Sequence, residues 1–381
     1  MKNNERKLIY IIGIVSIITT VYFCSVAWII IGIIKIKKRP KHRIGSVEVE
    51  KVSVIIPVRN EDNNIIKCLE SLKKQNFNII DFEIIIINDH STDCTCEIIN
   101  DFIAGNELDI KLFSLIDNSS KKEALKYGIE KSKYSIISTT DADCILPKNW
   151  LLNISLSFTN GTEMLLGPIV FKQHKGFLYW FQALDMLAVQ GIEFGVLGYQ
   201  KSILNNAANL SYYKKSYVDV GGFDNFNTPS GDDVFLLEKF KLHAKKIKGL
   251  FTQDFTVVTN PETTFLGFLN QRLRWSSKTR YYSDKLLVFF SSIVLIQNIS
   301  LIFIYLGIPL VEKYTGILIF LLVCKWLIDF ILLFLVAYFF DRRKALIYFI
   351  PAQIIYPIYI ILIWIISMTM KFEWKGRRFN G

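Results

Sequence analysis

The chain has 381 residues, is 51% hydrophobic, and carries 45 Lys and Arg against 34 Asp and Glu, a formal charge of +11 at pH 7. That pairing of apolar and basic points to a membrane protein whose charge meets anionic lipid rather than nucleic acid, for which no interleaved basic and aromatic motif is present. Six scattered cysteines (Cys24, Cys68, Cys94, Cys96, Cys144, Cys324) fit neither a disulfide framework nor closely paired zinc ligands, and the sequence holds no internal repeat or low-complexity stretch.

In chain order, Leu8 to Ile34 has no charged residue and exceeds the roughly 20 residues that cross a bilayer. It is too long, and lacks the small-residue cleavage site, for a signal peptide, so residues 1–35 are expected to stay as an anchor. "KIKKRPKHR" (Lys35 to Arg43) opens a basic linker over 36–50, which the positive-inside rule places in the cytoplasm. The domain that follows, 51–260, is then cytosolic. Its first half alternates strand-like and helix-like runs: "VSVIIP" (Val52 to Pro57), a helix carrying Ile65, Ile66, Leu69 and Leu72, then "EIIIIND". After these come "STDCTCEIINDFIA" with Ser91 or Thr92 as cap, "IKLFSLI", "SKKEALKYGIEKS" and "YSIISTTDAD". Four strands separated by three helices predict an α/β, mainly parallel, doubly wound sheet of Rossmann-like type, with its ligand outside the carboxyl ends of the strands.

The polar residues gather at those ends. Pro57 to Glu61 close the first strand, Asn88 to Asp93 the second, and "TTDADC" the fourth, so one crevice collects Glu61, Asp89, Asp141 and Asp143. Loops after strands are polar in any case, but four acids at three carboxyl ends need a further reason. No glycine-rich phosphate cradle follows the first strand. A Mg2+ or Mn2+ ion held by Asp141 and Asp143 supplies another way to hold a diphosphate, because these cations take oxygen ligands from one or two carboxylates and from phosphate.

The order of the motifs resembles that of the family 2 glycosyltransferases, inverting enzymes of GT-A fold that use nucleotide-sugar donors. The resemblance runs through "VSVIIPVRNE", "INDHSTDCT", "SKKEALKYGI", "TTDADC", "VGGFD", "SGDDVFL" and "QRLRW" (Gln271 to Trp275), the last being the Gln-x-x-Arg-Trp signature of membrane-embedded members. It implies a GT-A domain over 51–260, interfacial helices over 261–285, transmembrane helices over 286–370 and a basic tail over 371–381. It also implies donor contacts from Pro57, Glu61, Asp89, Lys121 and Asp141, a metal on Asp141 and Asp143, and an acceptor pocket that includes Asn209. Asn88 stands where many members have aspartate, Ser120 and Ala207 where glycine is usual. Asp233 is expected as the general base, with Asp232 either a substrate contact or a charge favoured at a helix start. Arg274 offers fixed positive charge to the leaving diphosphate, and Gln271 and Trp275 share its helical face toward donor and acceptor.

The implied activity is transfer of a sugar from a nucleotide diphosphate sugar, UDP-linked, to a lipid or glycan acceptor at the cytoplasmic face of a multi-pass membrane protein surrounded by membrane lipid. Processive polysaccharide synthesis is the alternative within the family, and a non-catalytic membrane scaffold or transporter subunit is the alternative outside it. Three late apolar blocks follow, Leu286 to Leu310, Thr315 to Phe340 and Ala345 to Met370. Lys325 and Asp329 inside the second are spaced to pair on one helix. Three full crossings would leave the basic tail outside, whereas a break at Pro351 or Pro357 into a re-entrant segment would return it to the cytoplasm.

Overall fold

The computed structural model describes residues 2–37, 49–116, 120–159, 161–224, 232–369, 372–374 and 377–379. Most of the basic linker, the Asp232 side chain and the side chains of the tail lie outside what is described.

Helix α1 (Lys2–Lys37) contains the uncharged anchor run. It is followed by β1 (Val52–Val58), α2 (Ile65–Lys73), β2 (Phe82–Asn88), α3 (Thr95–Ala104), β3 (Ile110–Ser114), α4 (Lys121–Lys131), β4 (Ile136–Thr139) and α5 (Trp150–Phe158). These match the expected alternation. Every residue of β2 is buried, as a strand covered on both faces requires, and each buried isoleucine contributes about 1.5–3 kcal/mol relative to exposure. The one acid among them, Glu83, is neutralised by Lys111 at 2.8 Å and accepts from the Ser53 hydroxyl at 2.6 Å. On α2, Ile65, Leu69 and Leu72 turn inward while Ile66 faces out. Helix α3 starts later than expected: neither Ser91 nor Thr92 caps it, and the Asp93 carboxylate instead accepts from the Thr95 amide at 3.1 Å.

Short elements complete the domain: β5 (Met164–Leu166), β6 (Ile169–Phe171), α6 (Phe177–Leu197), β7 (Leu210–Tyr213), α7 (Lys214–Asp219), α8 (Asp232–Leu242), β8 (Ile247–Gly249) and β9 (Val257–Thr259). The main sheet has seven strands in the order β3-β2-β1-β4-β7-β5-β8. Strands β1 to β4 are mutually parallel where they pair, and β7 is antiparallel to both neighbours. Because β1 pairs with β2 on one edge and β4 on the other, the strand order switches there. The crevice of such sheets opens at that switch point, between the carboxyl ends of β1 and β4.

Helix α9 (Phe265–Ser277) leads into three long apolar helices, α10 (Lys285–Leu310), α11 (Thr315–Phe339) and α12 (Phe349–Thr369). With α1 they give four segments long and apolar enough to cross a membrane. Of the two alternatives left open for the last block, the break at Pro351 or Pro357 does not occur. Pro351 sits in the first turn, where a missing N–H breaks no intrahelical bond, and α12 runs continuously past Pro357. Helix α6 packs against α1 and α11 and joins the α/β domain to the apolar helices. At its crossing with α1 the backbones nearly touch: a Cβ on Gly198 would fall 2.1 Å from the Gly32 carbonyl oxygen. Lys325 and Asp329 pair at 2.9 Å, and Asp329 also accepts from Tyr22 of α1 at 2.7 Å and from Gln353 of α12 at 3.2 Å. The buried charges are thus paired and hydrogen-bonded, which lowers the cost of placing them among apolar helices.

Candidate active site

A cavity of about 440 Å³ opens at the switch point. Pro57 and Glu61 reach it from the end of β1, Asp89 from β2, Lys121 from the start of α4, and Asp141 and Asp143 from the loop after β4. Asp233 enters from α8, and Gln271, Arg274 and Trp275 from α9. Pro57, Glu61, Asp89, Asp141 and Asp143 meet here because parallel strands carry their carboxyl ends to one edge, and α8 and α9 bring in Asp233, Gln271, Arg274 and Trp275.

The acids differ in environment. Asp141 is ion-paired with Lys121, whose helix is capped by the Ser120 hydroxyl accepting from the Glu123 amide at 3.1 Å. Asp143 is deeper. One of its oxygens accepts from the Thr259 hydroxyl at 2.9 Å and the Asn260 amide at 3.3 Å. Burial, followed by the neighbouring charges of Asp141 and Glu61, raises its carboxyl above the ordinary value, and Thr259 and Asn260 offset only part of this. A buried carboxylate among acids is the environment that a divalent cation relieves. Among the described residues no group of three His, Cys, Asp or Glu side chains is arranged as a metal cage. Two carboxylates with the remaining positions left to substrate phosphate and water suit Mg2+ or Mn2+.

Asp233 lies at the start of α8. Burial pushes its carboxyl up, but Lys278 at 3.5 Å, the Val234 amide at 2.9 Å, Lys121 and the Ala207 amide at 3.3 Å together hold it below the ordinary carboxylate value. It is therefore ionised near neutral pH.

Helix α9 supplies the opposite wall. Its first turn is capped by the Thr264 hydroxyl, which accepts from the Gly267 amide at 3.1 Å. Gln271 donates to the Glu262 carboxylate at 3.3 Å and accepts from Arg272 at 2.9 Å, which fixes its amide at both ends. Burial lowers the Arg274 guanidinium from its usual value, against the pull of Asp141, Asp233 and Glu262.

Asn209 is not part of this cavity. It is fully buried, accepts from the Trp150 indole at 2.8 Å, and donates to the carbonyls of Pro168 at 3.0 Å and Phe255 at 2.8 Å. An amide so occupied ties the start of α5 to the segments around Pro168 and Phe255 and, fully buried, does not reach the cavity; its neighbours Asn206, Ala207 and Ala208 face the cavity instead. Nor did the sequence single out Lys278, although it continues the helical face of Gln271, Arg274 and Trp275 by one further turn. Thr259 and Asn260 were hidden for another reason: they stand at and just after the end of a strand of three residues that carries no motif.

Residues 53–221 match the sequence model of glycosyl transferase family 2. Poly-beta-1,6-N-acetyl-D-glucosamine synthase of Staphylococcus epidermidis is 27% identical over 264 residues, 67% of this chain and 62% of that protein. Glycosyltransferase AglE of Haloferax volcanii is 30% identical over 126 residues, 33% of this chain and 41% of that protein. The chain thus spans less than two thirds of the length of either relative. The mannosyltransferase PcManGT from Pyrobaculum calidifontis, solved in complex with GDP-Man and Mn2+, superposes with a TM-score of 0.61 over 94% of this chain and 99% of that one, at 15% identity. At that identity the likeness is one of fold.

Proposed function

We propose, from the match of residues 53–221 to the sequence model of glycosyl transferase family 2, that the protein transfers a sugar, with inversion, from a nucleotide diphosphate sugar to a lipid or glycan acceptor at the cytoplasmic face of a membrane. The donor is UDP-linked in this reading. The observation that carries it is the meeting, in one cavity, of the Asp141–Asp143 pair, an ionised Asp233, and Gln271, Arg274 and Trp275.

Each group has a task that its position supports. Asp141 and Asp143 would hold Mg2+ or Mn2+, which when bound neutralises a diphosphate and polarises it as a leaving group. Lys121 beside Asp141 and Arg274 across the cavity bring fixed positive charge to the same region, where the bond from the anomeric carbon to the diphosphate oxygen breaks and negative charge grows. Asp233 accepts the proton of the acceptor hydroxyl as its oxygen attacks the opposite side of that carbon. Trp275 offers an indole for stacking against a sugar, and Gln271, fixed by Glu262 and Arg272, offers a preset amide.

A second reading, processive synthesis, is favoured by the similarity to a protein named as a polysaccharide synthase, which extends over 67% of the chain. One experiment addresses both. Membranes containing the protein are offered a panel of nucleotide sugars and the products are analysed by mass spectrometry. Addition of one sugar to a lipid supports single transfer and a ladder of repeating units supports the synthase; no donor-dependent product from any sugar contradicts both.

A further inference from the structure

We propose that Asp185 and Tyr356 form a strut that runs from the apolar helix α12, through Arg272, to the catalytic face of α9, and that this strut positions Gln271 and Trp275. Only its activity readout rests on the transferase reading above.

The geometry is a relay of fixed contacts. Asp185 of α6 is buried, and so is Arg272. One carboxylate oxygen of Asp185 lies 2.8 Å from the Arg272 Nε, and the other accepts from the Tyr356 hydroxyl at 3.0 Å. Asp185 is thus held at one oxygen by the Tyr356 hydroxyl and at the other by the close ion-pair contact with Arg272, so the guanidinium plane takes its place from the carboxylate beside it. From that plane Arg272 donates to the Gln271 side-chain oxygen at 2.9 Å, and its centre lies 4.2 Å over the Trp275 ring. Two residues that face the cavity thus take their orientation from one that does not. Lysine could not replace Arg272 here, because a single ammonium lacks the planar fork that meets a carboxylate, an amide oxygen and an indole face together.

A simpler role would be a buried ion pair that only staples α6, α9 and α12. The two roles separate by what changes per folded molecule. A staple alters stability and yield, whereas a positioning strut alters turnover at unchanged donor affinity, because misplacement of about 1 Å can cost on the order of 100-fold in rate.

The test uses the full-length protein in lipid nanodiscs, labelled with 5-fluorotryptophan, with the Trp275 resonance assigned from Trp275→Phe. Tyr356→Phe removes one oxygen and keeps the ring, and Asp185→Asn removes the charge. Both are expected to move the Trp275 fluorine resonance, and to lower kcat about 10-fold for Tyr356→Phe and about 100-fold for Asp185→Asn, while the nucleotide-sugar KM stays within about 3-fold. Should Asp185→Asn fail to fold, Tyr356→Phe decides. An unmoved Trp275 resonance, or a lowered melting temperature with kcat unchanged per folded molecule, overturns the strut. A wild type that transfers no sugar overturns the proposed function instead, and the resonance then decides the strut alone.

Discussion

Lys278 and Asp143 show how single residues tune the cavity in opposite directions. Lys278 opposes burial and helps hold Asp233 ionised. Removing it in Lys278→Met leaves burial less opposed, so the Asp233 carboxyl rises and its basic form is lost at a higher pH as acid is added. The acid limb of kcat/KM against pH should therefore shift to higher pH in Lys278→Met, which parallel pH profiles of variant and wild type would show. For Asp143 burial and then the surrounding acids raise the carboxyl, and a cation would oppose that. Excess chelator is expected to stop transfer, and Asp143→Asn to weaken metal-dependent donor binding while the amount of protein in membranes stays near wild type; calorimetric titration of the donor with and without Mn2+ checks this. The acids were legible from sequence because parallel strands put their following loops at one edge. Lys278 was readable in principle from α9 periodicity. Thr259 and Asn260 were not, since their contact with Asp143 depends on an isolated bridge between Ile145 and Val258 that no local pattern announces.

At the scale of elements, the strands and helices up to β4 followed from hydrophobic period and polar punctuation, whereas the second half of the sheet did not. The strands β5 and β8 have three residues each and β7 only four, too few for a period to register, and β7 runs against its neighbours. Helix α6 was hidden differently: it is buried on most sides between the domain and the apolar helices, and its polar residues Gln182, Asp185, Gln190 and Glu193 are themselves buried, so no solvent-facing polar stripe marks it in the sequence. Two elements invite tests. The α1–α6 crossing depends on Gly198, where a methyl group would lie 2.1 Å from the Gly32 carbonyl oxygen and must push backbone rather than a side chain. Gly198→Ala should destabilise the protein by about 1–3 kcal/mol, as overpacking does, seen as a lowered melting temperature in detergent. Asn209→Ala would leave the Trp150 indole and the Pro168 and Phe255 carbonyls without their partner. A loss of about 1–3 kcal/mol for each such group left unpaired is expected, with donor affinity per folded molecule unchanged. A selective loss of acceptor binding with full stability would return Asn209 to the acceptor pocket.

For the whole molecule, the conflict between tail charge and span count has a structural counterpart. Before α12, the Arg342 guanidinium donates to the Phe171 carbonyl at 3.4 Å; near its end, the Ser276 and Ser367 hydroxyls are 3.0 Å apart. Phe171 and Trp275, the neighbour of Ser276, line the same cavity. Both ends of the last apolar segment therefore meet the cavity side of the molecule without the helix breaking. A cysteine introduced by Gly381→Cys, in a background without the six native cysteines, should accordingly be labelled from the same side of the membrane as one placed on the α/β domain. The account as a whole depends on one carboxylate. Inverting transfer needs a base at the acceptor hydroxyl, and a positioned carboxylate contributes on the order of 100- to 10,000-fold to such a step. The measurement that bears on it most directly is the rate of sugar transfer by Asp233→Asn in membranes, with nucleotide-sugar affinity measured on the same preparation. A fall of roughly 100- to 10,000-fold with affinity little changed is the expected result. Near-normal transfer by Asp233→Asn, in protein that still binds the donor, would contradict it.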